Sequence, residues 1–227
     1  MNIQSVLKMY SQDKLTWFLI PNIILFSVFL FTLFVSILIS AGEQIYTGGA
    51  SYIFFYMLII GITVVKQTFP YAIGMSIRRT DYFLGTVAMS VATNILFGIL
   101  LVILSFIENA TNGWGGRVHF FHFPYLNDGT LFEQLMIYII VLIHLFFLGF
   151  LISSFTRRFG GKGLLIAAIS LLLIISVALL LVNYYGAWIN IFNWFATHTA
   201  IQIAYTLILP TLLFIGLSYL MLRKATV

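Results

Sequence analysis

Six apolar runs, each long enough to cross a lipid bilayer, take up most of this 227-residue chain. A hydrocarbon core of about 30 Å needs roughly 20 apolar residues in a helical span. Polar backbone groups inside a bilayer must bond to one another, and these runs are continuous rather than alternating, so the pattern predicts helices. The predicted spans are residues 17–41, 52–69, 82–107, 134–156, 163–182 and 197–222.

The predicted architecture is an all-α membrane protein, with one transmembrane domain over residues 1–227. The chain is 62% apolar and only 7% charged, and the spans leave no room for a separate soluble domain. Ahead of the first span, apolar residues recur at helical spacing at Ile3, Val6, Leu7 and Tyr10. This periodicity predicts a short amphipathic helix at residues 2–15 that lies in the membrane interface. The first apolar run is too long for a cleaved signal peptide, so we expect it to be retained.

Basic residues are distributed unevenly between the two sides of the predicted membrane. If both chain ends lie on one side, that side carries ten of the eleven Lys and Arg residues, and Arg117 alone lies on the other. The ten are Lys8, Lys14, Lys66, Arg78, Arg79, Arg157, Arg158, Lys162, Arg223 and Lys224. Basic loops mark the cytoplasmic side, so both termini are predicted to be cytoplasmic. The ten residues are scattered over four segments, which favours contact with anionic lipid over binding of nucleic acid.

The chain offers few groups suited to catalysis or metal binding. His144 is the main ionisable residue at membrane depth, and for a single His a hydrogen bond to another helix is favoured over a proton relay. His119 and His122 form an H-x-x-H pair that Glu108 or Asp128 could complete as a zinc site, but loop packing is favoured. We therefore predict no enzymatic activity, no metal and no cofactor bound by this chain itself.

Two further patterns concern the spans themselves. The stretch RRFGGKG at residues 157–163 lacks the G-x-x-x-x-G-K-[ST] pattern of a nucleotide-binding loop, and we expect it to turn the fourth span into the fifth. Ser90 and Asn94 lie on one face of the third span. Such small polar residues allow close helix packing, which is favoured, or line a translocation path together with His144.

The first predicted cytoplasmic connection, residues 70–81, lies within the unusual stretch FPYAIGMSIRRTDYFLG. Pro70 is expected to weaken the helix where it leaves the membrane, and Gly74 lets the chain turn. Ser76 is expected to cap a new short helix that exposes the two arginines following it.

The segment AIGMSIRRTDYFLGT resembles the G-x-[ST]-R-R-x-[DY]-[FY]-x-x-G stretch of permease subunits of type-2, exporter-like ABC transporters. The predicted layout of an N-terminal elbow helix, six spans and two cytoplasmic ends is also similar to that family. The resemblance implies that a separate subunit binds ATP and Mg²⁺ while this chain forms the translocation path. It implies docking of that ATPase on a coupling helix through Gly74, Ser76, Ile77, Arg78, Arg79, Asp81 and Tyr82, with Arg157 and Arg158 as a secondary contact.

The resemblance also implies a dimer, because six spans make half of a typical channel of this family. The second permease would be an identical or a related chain, in the plasma membrane of a bacterial cell. The outer loops are aromatic, and the expected cargo is amphipathic: a peptide, a lipid or a hydrophobic drug. The alternative that the sequence leaves open is an ATP-independent carrier or channel gated at His144.

Overall fold

The computed structural model describes residues 3–38, 44–123, 125–127 and 129–225, and for residues 116 and 117 the backbone alone. Eight α-helices make up most of this described part. They are α1 (Ile3–Gln12), α2 (Ile20–Leu38), α3 (Tyr52–Gly74), α4 (Arg79–Ala110), α5 (Leu131–Tyr184), α6 (Trp188–Thr197), α7 (Ala200–Thr206) and α8 (Ile208–Arg223). Two short strands, β1 (Ile45–Tyr46) and β2 (Val118–His119), pair in parallel.

Five helical segments in the described part are long and apolar enough to cross a membrane. They are Leu15–Leu38, Gly49–Gly74, Arg79–Ala110, Leu131–Tyr184 and Ala200–Arg223. The prediction of a largely helical chain with several helices long and apolar enough to cross a bilayer is therefore confirmed, and the short β1–β2 pair is an addition to it. Crossing the membrane six times, the interfacial position of α1 and the cytoplasmic termini remain predictions. Residue 2 and residues 39–41 of the predicted elements lie outside the described residues.

The predicted fourth and fifth spans both lie in α5, which is interrupted at Gly160. The Gly160 backbone has φ 73° and ψ 178°, a conformation open to glycine and strained for other residues. Before this break, α5 packs against α3, α4 and α8. After it, residues 165–181 are almost wholly exposed. The glycine-rich stretch thus divides the two predicted spans, and a single non-helical residue forms the division.

Helices α3 and α5 cross at two glycines, which lets their backbones touch. A Cβ atom placed on Gly61 would lie 2.2 Å from the carbonyl oxygen of Phe146, and one on Gly149 would lie 2.2 Å from the carbonyl oxygen of Leu58. Both distances are far below van der Waals contact, so neither position tolerates a side chain without separation of the helices. This crossing forms the centre of the packed core.

The two ends of the helix assembly differ in character. At one end, which we call the basic end, Arg79 Nη1 donates a hydrogen bond of 2.7 Å to the carbonyl oxygen of Arg223, and Arg157 lies over the Phe69 ring. At the other, which we call the loop end, Phe29 of α2 packs its ring on aromatic residues of the segment between α4 and α5. These are Trp114, Phe120 and Phe121, at centroid distances of 4.8, 5.4 and 5.2 Å.

Candidate docking surface at the basic end

The connection between α3 and α4 is a tight turn of four residues, 75–78, at the basic end. The Ile77 amide donates to Ala72 O at 3.0 Å and the Ser76 amide to Ile73 O at 2.9 Å. Together with the left-handed backbone of Ser76, φ 58°, these bonds form a Schellman motif that ends α3. Ile77 and Ala72 are both buried, and an apolar contact between these two positions often accompanies this motif.

The expected short helix with Ser76 as its N-terminal cap is wrong for this structure. Helix α3 continues through Pro70 to Gly74, and α4 begins at Arg79 with no separate helix between them. The physical reason is that Ser76 adopts the left-handed conformation that ends a helix, whereas an N-cap residue has an extended backbone. Residues 70–81 therefore comprise the end of α3, the turn and the first residues of α4.

Burial separates the predicted contact residues of this turn into two groups. Gly74, Ser76 and Arg78 are exposed, and Arg79 and Asp81 are partly exposed. By contrast Ile77 is 4% exposed and Tyr82 is 0% exposed, which rules out the expectation that they fill a pocket on another chain from this conformation. Their apolar surface is used inside the protein, as the base on which the exposed turn rests.

Arg78, in the turn, and Arg79, the first residue of α4, have different environments. Arg78 is the N-terminal flanking residue of α4, with an extended backbone. Arg79 is tied to the C-terminal end of α8 by its bond to Arg223 O, which satisfies a free carbonyl of that helix. Asp81 lies in the first turn of α4, where a carboxylate interacts favourably with the helix dipole. The turn thus presents a cationic edge with one acid behind it.

A cluster of four hydroxyl groups fastens α1 to the helices on either side of this turn. The Tyr10 hydroxyl lies 2.8 Å from Thr86 Oγ1 and 3.2 Å from Thr68 Oγ1, and Thr68 Oγ1 lies 2.8 Å from the Tyr82 hydroxyl. Burial raises the pKa of Tyr10, so its hydroxyl stays protonated and able to donate at neutral pH. The base of the turn is therefore held by α1 as well as by α3 and α4.

A close contact with a glycine also positions α1. A Cβ atom on Gly85 would lie 2.6 Å from Cβ of Val6, so α1 lies directly on the backbone of α4. Val6 and Tyr10, the two buried residues of α1, both belong to the periodic apolar set that predicted this helix. The structure has a helix here, over Ile3–Gln12, and its buried face contacts protein; its role as an interfacial helix stays a prediction.

No acidic side chain of the described residues pairs with the positive charge at the basic end. Among the described side chains, the only oppositely charged contact within 4 Å joins His119 to Glu108 at the loop end. Lys8, Arg78 and Lys224 are exposed at this end. A surface of this kind attracts anionic lipid or an acidic protein face.

Arg157 and Arg158, which were predicted to form one secondary contact, have different environments in the structure. Arg157 is directed towards α3, with its guanidinium carbon 5.9 Å from the centroid of the Phe69 ring and its Nε buried. Arg158 lies over Phe159 on its own helix at 4.8 Å. Only Arg158 keeps an orientation independent of the α3–α5 contact.

The predicted path-lining residues do not come together in the described structure as one polar track. Ser90 donates to Val87 O in its own helix. Asn94 is fully buried, and its side-chain amide makes no hydrogen bond to a described residue. His144 Nδ1 lies 2.8 Å from Thr211 Oγ1 and joins α5 to α8, which is the helix–helix hydrogen bond that the sequence favoured.

The loop end is organised around Glu108, which is 0% exposed. Its carboxylate accepts hydrogen bonds of 2.8 to 3.0 Å from one indole and three backbone N–H groups. The donors are Trp114 Nε1 and the amides of Phe120, Phe121 and His122. His119 Nδ1 lies 3.5 Å from the carboxylate. No group of three residues suited to a metal ion occurs among the described residues, and Asp128 lies outside them.

Two groups of polar residues were missed by the sequence reasoning. One is the hydroxyl cluster of Tyr10, Thr68, Tyr82 and Thr86. The other centres on Asn127, whose Oδ1 accepts from the Tyr138 hydroxyl at 2.8 Å and whose Nδ2 donates to Ser105 Oγ at 2.6 Å. The sequence signal for such a hydrogen-bonded group is a hydroxyl or amide side chain within an apolar helix. This signal does not show which residue it bonds to.

Comparison with protein-family models, curated proteins and solved structures finds no match to this chain.

Proposed function

We propose that this chain is the membrane-spanning permease subunit of an ATP-driven exporter, and that a separate ATPase docks on the turn between α3 and α4. The observation that carries the proposal is the form of this turn. Exposed Gly74, Ser76 and Arg78 project from a base formed by buried Ile77 and Tyr82. A rigidly supported protrusion is what a motor subunit needs in order to transmit force.

The positive charge at the basic end, which pairs with no acidic side chain in the described part of the chain, supports the same function. Arg78 and Arg79 provide a cationic edge for an acidic face on the partner, which would steer association and set its orientation. Arg158 adds a third cation, whereas Arg157 is engaged beside Phe69. Exposed backbone and arginine side chains form this docking surface, and the buried Ile77 and Tyr82 support it from within.

The mechanism would use the hydroxyl cluster and the glycine crossing as rigid connections. Movement of the docked ATPase pushes the turn, and α1, α3 and α4 move together because Tyr10, Thr68 and Tyr82 join them. The crossing of Gly61 and Gly149 passes the movement to α5. In this scheme both termini and the turn are cytoplasmic, two permease chains enclose the path, and the cargo is an amphiphile.

The test is co-purification of the tagged full-length chain from its native plasma membrane. We expect a partner with nucleotide-binding motifs and ATPase activity to accompany the wild-type chain. The double variant Arg78→Glu/Arg79→Glu should bind it roughly tenfold more weakly, because attraction becomes repulsion. The matched control is Lys8→Glu/Lys14→Glu, which changes the same charge at two exposed positions outside the turn. A partner that remains bound to the turn variant would refute this docking site.

The alternative is an ATP-independent carrier or channel gated at His144. The hydrogen bond to Thr211 gives this His a packing role between α5 and α8. The alternative would be established by two results in the same preparation. The chain would move cargo with no ATPase present, and His144→Ala would abolish that movement.

A further inference from the structure

A cavity of about 360 Å³ lies between α3 and α5, towards the basic end. Its walls combine two basic side chains, two residues with hydroxyl groups, one of which is Thr156, and several apolar side chains. The residues that matter here are Lys66, Arg157, Ser153, Ile62, Ile152 and Leu164. The volume is within the range of pockets that bind small molecules.

The polar part of this cavity is suited to an oxyanion. Lys66 and Arg157 both line it, no acidic residue does, and neither cation forms an ion pair with a described residue. Arg157 Nε is enclosed and makes no hydrogen bond to any described residue, while the Phe69 ring lies beneath the guanidinium. An arginine oriented in this way has donors available for a phosphate, which it binds through paired hydrogen bonds.

The hydroxyl and apolar parts narrow the class of ligand. The Ser153 hydroxyl lines the cavity and makes no hydrogen bond to another described residue. Ile62 lies one helical turn from Lys66 on the exposed face of α3, and Leu164 adds an apolar wall from the part of α5 beyond Gly160. Lys66 precedes the end of α3 by eight residues, about 12 Å, so its ammonium group can reach up towards the basic end while its stem covers apolar surface.

We propose that this cavity binds an anionic phospholipid of the leaflet at the basic end. The phosphate contacts Lys66 and Arg157, and an acyl chain lies along Ile62 and Leu164. A free phosphate would use only the cations, whereas a phospholipid also covers the apolar walls. The bound lipid contacts α5 on both sides of the Gly160 break. This site does not depend on an ATPase partner, and it gives Arg157 a different role from Arg158.

The experiment measures lipid binding to the purified full-length chain by native mass spectrometry in neutral detergent. We expect dioleoyl phosphatidylglycerol to bind at least roughly tenfold more tightly than dioleoyl phosphatidylcholine, because each basic residue near an anionic lipid adds about fivefold. The variant Lys66→Gln/Arg157→Gln should bind the two lipids equally. The control Arg158→Gln/Lys162→Gln removes the same charge from the neighbouring segment and should keep the preference.

The single variant Lys66→Gln tests the proposal even if the double variant Lys66→Gln/Arg157→Gln does not fold. Lys66 is exposed, so Lys66→Gln should keep the fold and weaken phosphatidylglycerol binding by about fivefold. Equal binding of the two lipids by the wild-type chain would overturn the proposal, as would an equal loss of preference in the control variant. Complete displacement of phosphatidylglycerol by millimolar inorganic phosphate would also overturn it, since the site would then bind a free anion.

Discussion

Glu108 lies in the last turn of α4, where a carboxylate faces the negative end of the helix dipole. The position is compensated by four N–H donors that converge on its two oxygens. Three of these donors are consecutive backbone amides of residues 120–122, so one side chain fixes the path of the segment above the helices. The carboxylate therefore stabilises the loop, whereas its negative charge interacts unfavourably with the dipole of α4.

The change Glu108→Gln is expected to lower the free energy of unfolding by about 3 kcal/mol. The amide nitrogen would face N–H groups that need an acceptor, and it cannot carry the charge that strengthens these bonds. Thermal unfolding in detergent, followed by tryptophan fluorescence, measures the effect. Glu133→Gln is the matched control, because glutamine preserves the capping box with Thr130 at the start of α5. Equal midpoints for the two variants would show that the loop does not depend on this carboxylate.

Residue roles of this kind were only partly accessible from the sequence. Glu108 was considered for a zinc site because carboxylates and His residues occurred nearby, and the three backbone amides that bind it carry no sequence signal. Ser76 was expected to begin a helix because serine favours N-caps. Its actual role depends on Ile77 being buried by the rest of the protein, which a local pattern does not contain.

At the scale of elements, the length of the apolar runs predicted where helices occur, but it predicted the residues at which they end less accurately. The second predicted span stopped at residue 69, before Pro70, whereas α3 continues to Gly74. A proline inside a helix is tolerated where the freed carbonyl finds another partner. Hydropathy measures the fit to lipid, and the end of a helix is set by its last hydrogen bonds, so the two boundaries need not agree.

The crossing of α3 and α5 leads to a prediction about Gly149. The change Gly149→Ala is expected to lower the free energy of unfolding by about 3 kcal/mol, because the added methyl group meets Leu58 O and forces the helices apart. Circular dichroism on heating in detergent measures it. Gly216→Ala on α8 is the control, since nothing lies within 4 Å of its added Cβ. If both variants unfolded at the same temperature, the close crossing would be disproved.

At the scale of the whole molecule, the separation of charge between loops was readable from the sequence, but the helix neighbours were not. Ten basic residues assigned to one side predicted which loops lie together, and Arg79, Arg157 and Arg223 are indeed found at one end. Which helices touch depends on small residues such as Gly61 and Gly85, whose partners are far away in the chain. Apolar residues that face lipid and those that face protein look alike in a hydropathy profile.

The sidedness of the molecule can be tested cleanly because the chain contains no cysteine. Single variants Ser76→Cys, Asn109→Cys and Asn183→Cys introduce thiols at exposed positions. A membrane-impermeant maleimide added to intact cells should label the variants at 109 and 183. The variant at 76 should react only after permeabilisation if this end is cytoplasmic, as the distribution of basic residues predicts. Labelling of residue 76 from outside would invert the orientation, and protection of residue 183 would mean that α5 does not cross twice.

Gly160 has a consequence for how the newly synthesised chain enters the bilayer. If this residue were helical, the 54 residues of α5 would form one straight rod of about 80 Å, against a hydrocarbon core of about 30 Å. Three cations would lie near the middle of that rod: Arg157, Arg158 and Lys162. Buried in lipid, each of them is strongly unfavourable. If the two parts of α5 cross the membrane separately, as the sequence predicts, the break at Gly160 would allow them to insert as two hydrophobic segments and leave the three charges between them at the water boundary.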